Sequence, residues 1–453
     1  MMNDTICAIS TAQGVGAIAI IRVSGEKAIP IVNKIFKGKD LEKADSHNIV
    51  YGHIVDNSQN EIDEVLVTIM KAPRTYTTED TVEINTHGGI APTNKVLELL
   101  LLNGCRLAEP GEFTKRAFLN GRIDLLEAEA VMDKINAQTE KQNELATNGL
   151  NGKISKLIDD LRDDMIQIIS NINVNIDYPE YDDVDIITND LIVPKITNLK
   201  TRISKIIDES KNGLMIKDGL TMSIIGEPNA GKSSLLNALI EENKAIVTDI
   251  AGTTRDIVEG KIIINGIPIN IIDTAGIRET KDIIESIGVE KSKQMIEKSD
   301  LIILIINNNT EINKDIKDIY NKIKNKNHII ILNKIDLKNI ANIEEFKNEN
   351  IIKMSIKNNQ GIEDLKKEII DMFNLSQIEL NDPTYLSNTR SIAILKNCYK
   401  SIESIENSLK NNIPIDMIEI DIKNIWEELG KINGKYYDEE LLDEMFKRFC
   451  LGK

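Results

Sequence analysis

The spacing of apolar residues divides the chain into segments of different architecture. Over residues 1–118, short apolar runs are bounded by polar residues or glycine, a pattern typical of strands. A helix is predicted at Thr93–Leu102, directly after Pro92. Strands and a helix in this order predict an N-terminal α+β domain. The predicted strands lie within Gly14–Ser24 and at Ile49–Val55, Val65–Met70 and Thr81–Thr86.

From residue 119 to 215, apolar residues recur every three or four positions, which predicts amphipathic helices. An acidic stretch over residues 177–185 interrupts this pattern and predicts a loop before a second helical stretch, Leu191–Leu214. Helical spacing returns after residue 377. The apolar positions are Leu157, Leu161, Met165, Ile168 and Ile172 before the loop, and Ile394, Ile402, Ile405, Leu409, Trp426, Leu429, Leu442, Met445 and Phe449 near the end of the chain.

Residues 216–377 contain short isoleucine-rich runs separated by polar stretches, which predicts buried, mostly parallel strands. Asn265-Gly266 between two of these runs predicts a hairpin. Because the long helices on each side need an apolar partner, we interpret this domain as an insertion into one helical domain; two independent helical segments are the alternative. The predicted domains are 1–118, 119–215 and 378–453 (two parts of the helical domain), and 216–377. The predicted strands of the last are Met222–Ile225, Lys261–Ile264, Ile267–Ile272, Leu301–Ile306, His328–Leu332 and Ile351–Met354.

The charge, the cysteines and the apolar runs of the chain limit the partners and the environment that it can have. The chain has 55 basic and 72 acidic residues and a net charge of −17, which argues against a broad basic surface for nucleic acid. A local basic patch, or recruitment by a partner, stays open. The four cysteines (Cys7, Cys105, Cys398 and Cys450) have no metal-binding spacing, which predicts a reducing cytoplasm. No apolar run reaches about 20 residues, so no membrane span is expected.

Residues 226–234, Gly-Glu-Pro-Asn-Ala-Gly-Lys-Ser-Ser, follow a predicted strand and match the phosphate-binding pattern G-x-x-x-x-G-K-[ST]. Backbone N–H groups of such a loop surround phosphate oxygens, and the next helix adds partial positive charge. Lys232 can reach the outer phosphates, and Ser233 can hold Mg²⁺. Asn229, Ala230, Gly231 and Ser234 complete the predicted phosphate site.

Two further motifs are spaced to sense the terminal phosphate. Residues 252–256, Gly-Thr-Thr-Arg-Asp, include threonines that can offer a hydroxyl to the same Mg²⁺. Asp273 ends a predicted strand and suits an outer-shell contact to this ion. The residues that follow Asp273, namely Thr274, Ala275 and Gly276, predict a loop that responds to the nucleotide.

Residues 333–336, Asn-Lys-Ile-Asp, predict the base that is bound. The carboxylate of Asp336 can accept from the ring N–H and the NH₂ of guanine, whereas adenine would leave this charge unpaired. Ser355, Ile356 and Lys357, after the last predicted strand, can close over the base. These motifs, each at a strand end, predict a GTPase. The predicted fold class is therefore a multidomain α/β protein with an N-terminal α+β domain, an all-helical domain and an inserted P-loop GTPase domain.

Two residues set this GTPase apart. Ile277 stands where small regulatory GTPases carry a water-orienting glutamine, and an isoleucine cannot hydrogen-bond water. The amide oxygen of Asn229 can coordinate a monovalent cation beside the phosphates, or Asn229 can simply suit a turn. The nearest groups that could replace the glutamine are Arg278, Glu279, Asp282 and Glu285, most of which we expect on a solvated helix face.

The whole chain resembles the tRNA-modification GTPase family known as MnmE or TrmE. The motifs that carry this resemblance, besides those of the GTPase, are Arg22–Gly25, Glu83–Gly89, Gly111–Gly121, Asp124–Ala130 and the ending Cys450-Leu-Gly-Lys453.

The resemblance implies specific site residues. Asn229, Thr248, Ile250 and Thr253 would hold K⁺, and Ser233 and Thr254 would hold Mg²⁺. Glu285 would organise the attacking water, beside Lys232 and Asn229 in the catalytic set. Arg22, Glu83, Arg122 and Lys453 would bind a 5-formyl-tetrahydrofolate or a related one-carbon folate. Cys450 matches a suggested nucleophile, with a packing or partner role as the alternative. The GTP-binding segment would include Thr248, Asp249, Ile250, Ala251, Gly252, Thr253 and Thr254.

The resemblance also implies the activity and partners. The N-terminal domain would form a homodimer. With an FAD-dependent partner, MnmG or GidA, in a heterotetramer or larger complex, the chain would add carboxymethylaminomethyl or aminomethyl groups to carbon 5 of the wobble uridine in certain tRNAs. The chain carries no flavin motif, which agrees with FAD belonging to the partner. A GTPase switch in ribosome or cell-cycle assembly is the alternative, and a purely structural interaction protein is disfavoured by the nucleotide motifs.

Overall fold

The computed structural model describes residues 4–177, 189–242, 258–272, 296–378, 385–411 and 413–453. The chain forms two compact units, each built from separate stretches. The first contains Met1–Met132, Gly149–Lys195 and Ser401–Lys453, and the second contains Asp133–Asn148 and Ile196–Lys400.

The described residues form strands and helices that we number in chain order. The strands are β1 (Ile6–Ile9), β2 (Ile18–Ser24), β3 (Phe36–Gly38), β4 (Asn48–Val55), β5 (Glu61–Met70), β6 (Thr81–His87), β7 (Arg106–Leu107), β8 (Leu220–Gly226), β9 (Val258–Ile264), β10 (Ile267–Ile272), β11 (Leu301–Asn307), β12 (His328–Asn333) and β13 (Ile351–Met354). The helices are α1 (Ala28–Ile35), α2 (Ile90–Leu102), α3 (Glu112–Leu119), α4 (Leu125–Asn136), α5 (Glu140–Leu150), α6 (Lys153–Asp177), α7 (Asn189–Asp218), α8 (Lys232–Glu242), α9 (Lys314–Ile323), α10 (Ile362–Met372), α11 (Thr389–Lys410), α12 (Ile415–Ile432) and α13 (Glu439–Phe446).

The first unit contains a seven-stranded sheet in the order β3-β4-β5-β6-β2-β1-β7. Its strand pairs are antiparallel, except that β1 and β7 run parallel. Alternate residues of β5 are buried, as in Val65, Val67 and Ile69, which gives the sheet one apolar face. Helices α1 and α2 contribute buried residues to the same core as this face. The N-terminal α+β fold is confirmed.

Two local features of this unit differ from the sequence prediction. Helix α2 begins at Ile90 rather than Thr93. Pro92 therefore lies in its first turn, where the missing N–H has no intrahelical acceptor to lose. The short strands β1, β3 and β7 and helix α1 were not predicted, because runs of two to eight residues carry too little periodicity.

The helical segments before and after the GTPase region pack together, which confirms the insertion. Helix α6 packs along α12 within the first unit. The Arg162 guanidinium lies 4.4 Å from the Trp426 ring and 5.8 Å from the Tyr436 ring, and its Nε donates to the Trp426 carbonyl. Asn433 donates to Asp159 at 2.8 Å. Each boundary between the two units falls inside a helix (α4, α5, α7 or α11), so helical residues contribute to both units.

The second unit contains a six-stranded sheet in the order β13-β12-β11-β8-β10-β9. All neighbours are parallel except β9, which pairs antiparallel with β10 through the predicted Asn265-Gly266 hairpin. Strand β11 is buried over its whole length, as expected for a central parallel strand with both faces covered. The carboxyl ends of the five parallel strands therefore share one edge of the sheet.

Helix α5 packs on the hairpin of this sheet. Lys141 and Asn265 both donate to the Leu375 carbonyl, at 3.3 and 3.0 Å. A Cβ on Gly266 would lie 3.1 Å from the methylene chain of Lys141. The segment 133–148 thus belongs structurally with the GTPase sheet rather than with α6. In the ranges described, no helix is long and apolar enough to cross a membrane.

A buried arginine joins separate segments of the first unit. The side chain of Arg116 on α3 is 2% exposed and contacts three carboxylates. Its guanidinium donates to Asp4 Oδ1 at 2.7 Å, Glu112 Oε1 at 2.9 Å and Glu79 Oε1 at 3.2 Å. Burial opposes ionisation of Glu112, but hydrogen bonds from Arg106, the Glu109 N–H and Arg116 outweigh it and hold the pKa of Glu112 below its usual value.

We expect Arg116→Met to lower the free energy of unfolding by about 3 kcal/mol at pH 7, because the buried Glu112 and the more exposed Glu79 and Asp4 lose a charged partner. Glu112 has a depressed pKa in the folded state, so its stabilisation exists above the unfolded pKa of about 4.3 and is lost as pH falls. The difference between wild type and variant should therefore shrink below about pH 4. Urea unfolding followed by fluorescence of Trp426, the single tryptophan, measures both effects.

Lys95→Met is the matched control, since Lys95 pairs with Glu98 on the surface with side-chain exposures of 46% and 56%. It should change the unfolding free energy by less than about 0.5 kcal/mol. A loss for Arg116→Met no larger than that of Lys95→Met would show that the buried cluster is not stabilising.

Candidate functional site

The sheet of the second unit brings the nucleotide motifs to one edge. The phosphate-loop motif follows β8, the Asn333–Asp336 motif follows β12 and Ser355–Lys357 follows β13. Strand β10 ends directly before Asp273. Ligands of open α/β sheets bind outside the carboxyl ends of the strands, so this edge is the candidate nucleotide site.

The phosphate loop depends on close backbone approach. A Cβ on Gly226 would collide with the carbonyl oxygen of Ile305 on β11, and one on Gly231 would collide with Nδ2 of Asn333. Asn229 has a φ of 62°, in the left-handed region that asparagine tolerates better than most residues. Ala230 is fully buried, and helix α8 begins at Lys232. The loop therefore ends at a helix N-terminus, as anion binding requires.

The Lys232 side chain folds back across this loop toward its first two residues. Its Nζ donates to the carbonyl oxygens of Gly226 and Glu227 at 2.8 and 2.9 Å. Burial lowers the pKa of Lys232 from its usual value, because the charged form loses hydration there. A phosphate oxygen would restore a charged partner to this ammonium. Ser233 and Ser234 are exposed in the first turn of α8, where a hydroxyl is accessible to a metal ion.

The base-reading loop is tied to the phosphate loop by two side chains. Asn333, which is 3% exposed, donates from Nδ2 to the Ala230 carbonyl at 2.8 Å and accepts from the Ile356 N–H at 3.5 Å. Lys334 has a φ of 64° and donates from Nζ to the Asn229 carbonyl at 2.7 Å. Both bonds hold the candidate base-binding residues at a set distance from the phosphate loop.

A buried serine orients the carboxylate of Asp336. The hydroxyl of Ser355 donates to Asp336 Oδ1 at 2.7 Å, and Ser355 is itself fully buried and paired through its backbone with Gln360. Asp336 is exposed, so the carboxylate is accessible to a base. The neighbouring Ile356 is partly buried and Lys357 is exposed. This geometry suits a carboxylate that accepts from two adjacent donors.

Several predicted site residues lie outside the described residues. They are Thr248, Asp249, Ile250, Ala251, Gly252, Thr253, Thr254, Asp273, Thr274, Ala275, Gly276, Ile277 and Glu285. Their roles stay predictions.

In the first unit, three of the four residues predicted to bind folate are connected: Arg22 contacts Glu83 directly and shares the Tyr76 ring with Arg122. The fourth, Lys453, has its backbone near this group. Arg22 on β2 and Glu83 on β6 are cross-strand partners, with Arg22 Nη2 2.8 Å from Glu83 Oε1. Arg22 Nη1 lies 3.5 Å from the Gly452 carbonyl. Arg122 follows α3, and the Lys453 carbonyl accepts from the Phe113 N–H at 3.2 Å.

Sequence reasoning missed Tyr76, which connects these groups. The Arg122 guanidinium lies 4.9 Å from the Tyr76 ring centroid and that of Arg22 lies 5.6 Å from it. Tyr76 falls in a loop between β5 and β6, and nothing in the periodicity of that segment marks it. Its position depends on contacts with residues that are distant in the sequence.

The ending Cys450–Lys453 is docked on the N-terminal sheet. Gly452 has a φ of 86°, and a Cβ there would collide with the carbonyl of Ile9. The hydroxyl of Ser10 donates to the Gly452 carbonyl at 3.0 Å, and the Gly111 N–H donates to the Cys450 carbonyl at 3.3 Å. Cys450 is exposed beside this contact.

Comparisons with known proteins cover the whole chain. Residues 5–122 match the family model "GTP-binding protein TrmE N-terminus", and residues 125–450 match "MnmE helical domain". Proteins named tRNA modification GTPase MnmE from Bacillus thuringiensis and Bacillus anthracis are each 50% identical over 458 residues, covering 100% of both chains. Among solved structures, Era from Aquifex aeolicus is 30% identical over 40% of this chain and 66% of that chain, with a TM-score of only 0.27.

The fold and the site together define a multidomain P-loop GTPase. The phosphate loop, the tie through Asn333 and the oriented Asp336 are the features of this class. The two family models and the full-length relatives show that the chain belongs to the MnmE family of tRNA modification GTPases. The predicted resemblance and the fold class are thereby confirmed.

We expect Asp336→Asn to weaken GTP binding by about 10²–10⁴-fold, because two hydrogen bonds to a charged acceptor contribute about 1.5–3 kcal/mol each. An asparagine can donate to the O2 carbonyl of xanthine, so affinity for xanthosine triphosphate should rise. Titration of fluorescent analogues of both nucleotides measures the change. The control Asp364→Asn removes an exposed carboxylate in the first turn of α10 and should bind GTP normally. Equal GTP affinity in both variants would contradict the role of Asp336.

Proposed function

We propose that this protein hydrolyses GTP in order to modify carbon 5 of the wobble uridine in certain tRNAs. It would act with an FAD-dependent partner and a tetrahydrofolate one-carbon donor, adding carboxymethylaminomethyl or aminomethyl groups. The observation that carries the proposal is that one chain, 50% identical to tRNA modification GTPases over its full length, combines a guanine-type loop with a cluster of cations in its N-terminal unit.

The residues of the nucleotide site fit GTP with Mg²⁺. Lys232 binds the outer phosphates, and the loop Asn229–Ser234 surrounds them with backbone N–H groups. Ser233 and Thr254 hold the metal ion, whose charge offsets the charge on the phosphates. Asp336, oriented by Ser355, binds guanine. From the order of the motifs in the sequence, Thr248–Thr254 and Asp273–Gly276 would surround the terminal phosphate.

We infer a dependence on K⁺ from Asn229. Its amide, with Thr248, Ile250 and Thr253, would hold K⁺ beside the phosphates, where an arginine acts in other GTPases. The left-handed backbone of Asn229 and the bond from Lys334 to its carbonyl keep this residue in one position. Glu285 would orient the attacking water, because Ile277 has no polar atom with which to do so.

GTP hydrolysis should be at least about tenfold faster in K⁺ than in Na⁺. A positive charge at this position, such as an arginine in other GTPases, can raise the rate of hydrolysis by up to about 10³–10⁵. Asn229→Gly should lower the rate in K⁺ to that in Na⁺. Glycine is the suitable replacement because it tolerates the φ of 62° without strain. Phosphate release in matched chloride buffers measures the rates. Asn237→Ala on the exposed face of α8 is the control and should keep the K⁺ dependence. Equal hydrolysis rates of the wild-type protein in both salts would contradict the proposed K⁺ site.

The cluster of Arg22, Glu83, Arg122 and Lys453 suits a 5-formyl-tetrahydrofolate or a related folate. A folate carries carboxylates, which bind guanidinium and ammonium groups, and a polar flat ring with N–H donors. Glu83 can accept from such donors, and Arg122 and Lys453 can bind the carboxylates. The nearby Cys450 is exposed, which leaves it accessible to a substrate or a partner.

We propose the following partners and organisation. The N-terminal domain, residues 1–118, would form a homodimer, and the FAD would be held by an MnmG (GidA) partner in a heterotetramer or larger complex. The helical domain would comprise 119–215 and 378–453, with the GTPase domain at 216–377. With a net charge of −17, the chain suits a tRNA that is held largely by the partner. The complex would act in the cytoplasm.

Mass analysis of wobble uridines in tRNA from cells lacking this protein tests the activity. We expect loss of the groups at carbon 5, restored by the wild-type chain and not by Lys232→Ala, which lacks the ammonium that binds phosphate. An unchanged uridine profile, accompanied by a defect in ribosome or cell-cycle assembly, would instead support the alternative, an assembly GTPase.

A further inference from the structure

Tyr76 makes contacts through each of its polar and aromatic parts. Its backbone carbonyl accepts from Arg122 Nη1 at 2.8 Å. Its hydroxyl is 2.9 Å from Oγ1 of Thr114, a fully buried residue of α3. Its ring lies 4.9 Å from the Arg122 guanidinium and 5.6 Å from that of Arg22. Tyr76 is therefore held by hydrogen bonds at its backbone carbonyl and at its hydroxyl, and the guanidinium groups of both arginines lie near its ring.

The two arginines are held to different degrees by other groups. Arg22 also contacts Glu83, and its guanidinium lies 5.6 Å from the Phe113 ring. Its side chain is only 16% exposed. Arg122 is exposed and belongs to a turn after α3, where the carbonyl and ring of Tyr76 hold its guanidinium. Loss of the ring should thus affect Arg122 more than Arg22.

Arg22 and Arg122 carry like charges that repel one another, and a site that uses both must hold them beside the same ring before the ligand arrives. The face of an aromatic ring attracts a cation, which opposes this repulsion. Holding the arginines in place beforehand also reduces the side-chain entropy that they would otherwise lose when the ligand binds. The ring of Tyr76 has the position to do both.

We propose that Tyr76 is a positioning residue of the folate site: its ring holds Arg122 and Arg22 so that both can bind one ligand with a flat polar ring and carboxylates. This inference rests on the proposed folate function of the N-terminal unit. The bond to Thr114 sets the ring angle, and the ring acts on the ligand through the two arginines.

Calorimetric titration of the full-length chain with 5-formyl-tetrahydrofolate tests the proposal. Tyr76→Leu should weaken binding by about 5- to 30-fold, because it removes two cation contacts of about 0.5–1 kcal/mol each. Tyr76→Phe keeps the ring and should weaken binding by less than about threefold, and Tyr76→Trp should bind better than Tyr76→Leu. A merely structural role would show itself as a loss of folding stability in Tyr76→Leu that parallels the loss of folate affinity, whereas a positioning role lowers the affinity at unchanged stability. Urea unfolding followed by far-ultraviolet circular dichroism measures the stability of each variant, because Tyr76→Trp has a second tryptophan besides Trp426.

Two further variants make the result specific. Tyr399→Leu removes a tyrosine with a similar contact, 5.3 Å from the Lys200 ammonium in the other unit, and should not change folate affinity. In an Arg122→Lys background, Tyr76→Leu should have a smaller effect than in wild type, because the planar partner of the ring is gone.

The possible failures differ from one another. A wild-type chain that does not bind 5-formyl-tetrahydrofolate would overturn the folate part of the proposed function and this inference with it. Binding that is lost in Arg122→Ala but is of wild-type strength in Tyr76→Leu would leave the folate site standing and overturn only the role of Tyr76. A loss in Tyr76→Leu that Tyr76→Phe and Tyr76→Trp share in full would also overturn it, since the ring would then not be the active part.

Discussion

The nucleotide site depends on one buried hydrogen bond between two loops, from Asn333 Nδ2 to the Ala230 carbonyl. Parallel strands bring their carboxyl ends to one edge of a sheet, but they do not by themselves set the distance between the loops that follow. Asn333 sets it, and Gly231 has no side chain because Asn333 occupies that space. Lys334 adds a second tie to Asn229. The candidate phosphate loop and the candidate base-binding loop are consequently joined, and Asn229, the residue proposed to bind K⁺, is part of this arrangement.

In the first unit, polar contacts likewise join separate segments, and these segments are farther apart in the sequence. The ending Cys450–Lys453 reaches the N-terminal sheet through contacts that require a glycine at position 452. Arg116, which is buried, joins Asp4, Glu79 and Glu112, so segments that are distant in the chain are fixed by its charge pairs. In both units, a candidate ligand site lies where distant segments are brought together by a few polar contacts.

Much of the GTPase region could be predicted because its signals are local. The isoleucine-rich runs predicted each strand of the second sheet, and β8 and β12 end where the motifs begin. Tyr76 could not be predicted, since its role comes from Arg22 and Arg122, which lie 54 and 46 residues away in the chain. The short strands β1 and β7 were missed for a related reason: they are held by pairing across the sheet rather than by their own pattern.

The sequence by itself indicated the class of nucleotide and the insertion of the GTPase domain between helical segments. The phosphate loop, the guanine-type aspartate and the helical spacing are local patterns, each contained within a few residues or helical turns. Only the tertiary structure decided how the helical segments divide. Residues 133–148 pack with the GTPase sheet, whereas α6 packs with α12, although all of them show the same helical spacing. The physical reason is that periodicity shows which face of a helix is apolar, but the surface that covers this face is chosen by shape and by polar partners from distant parts of the chain.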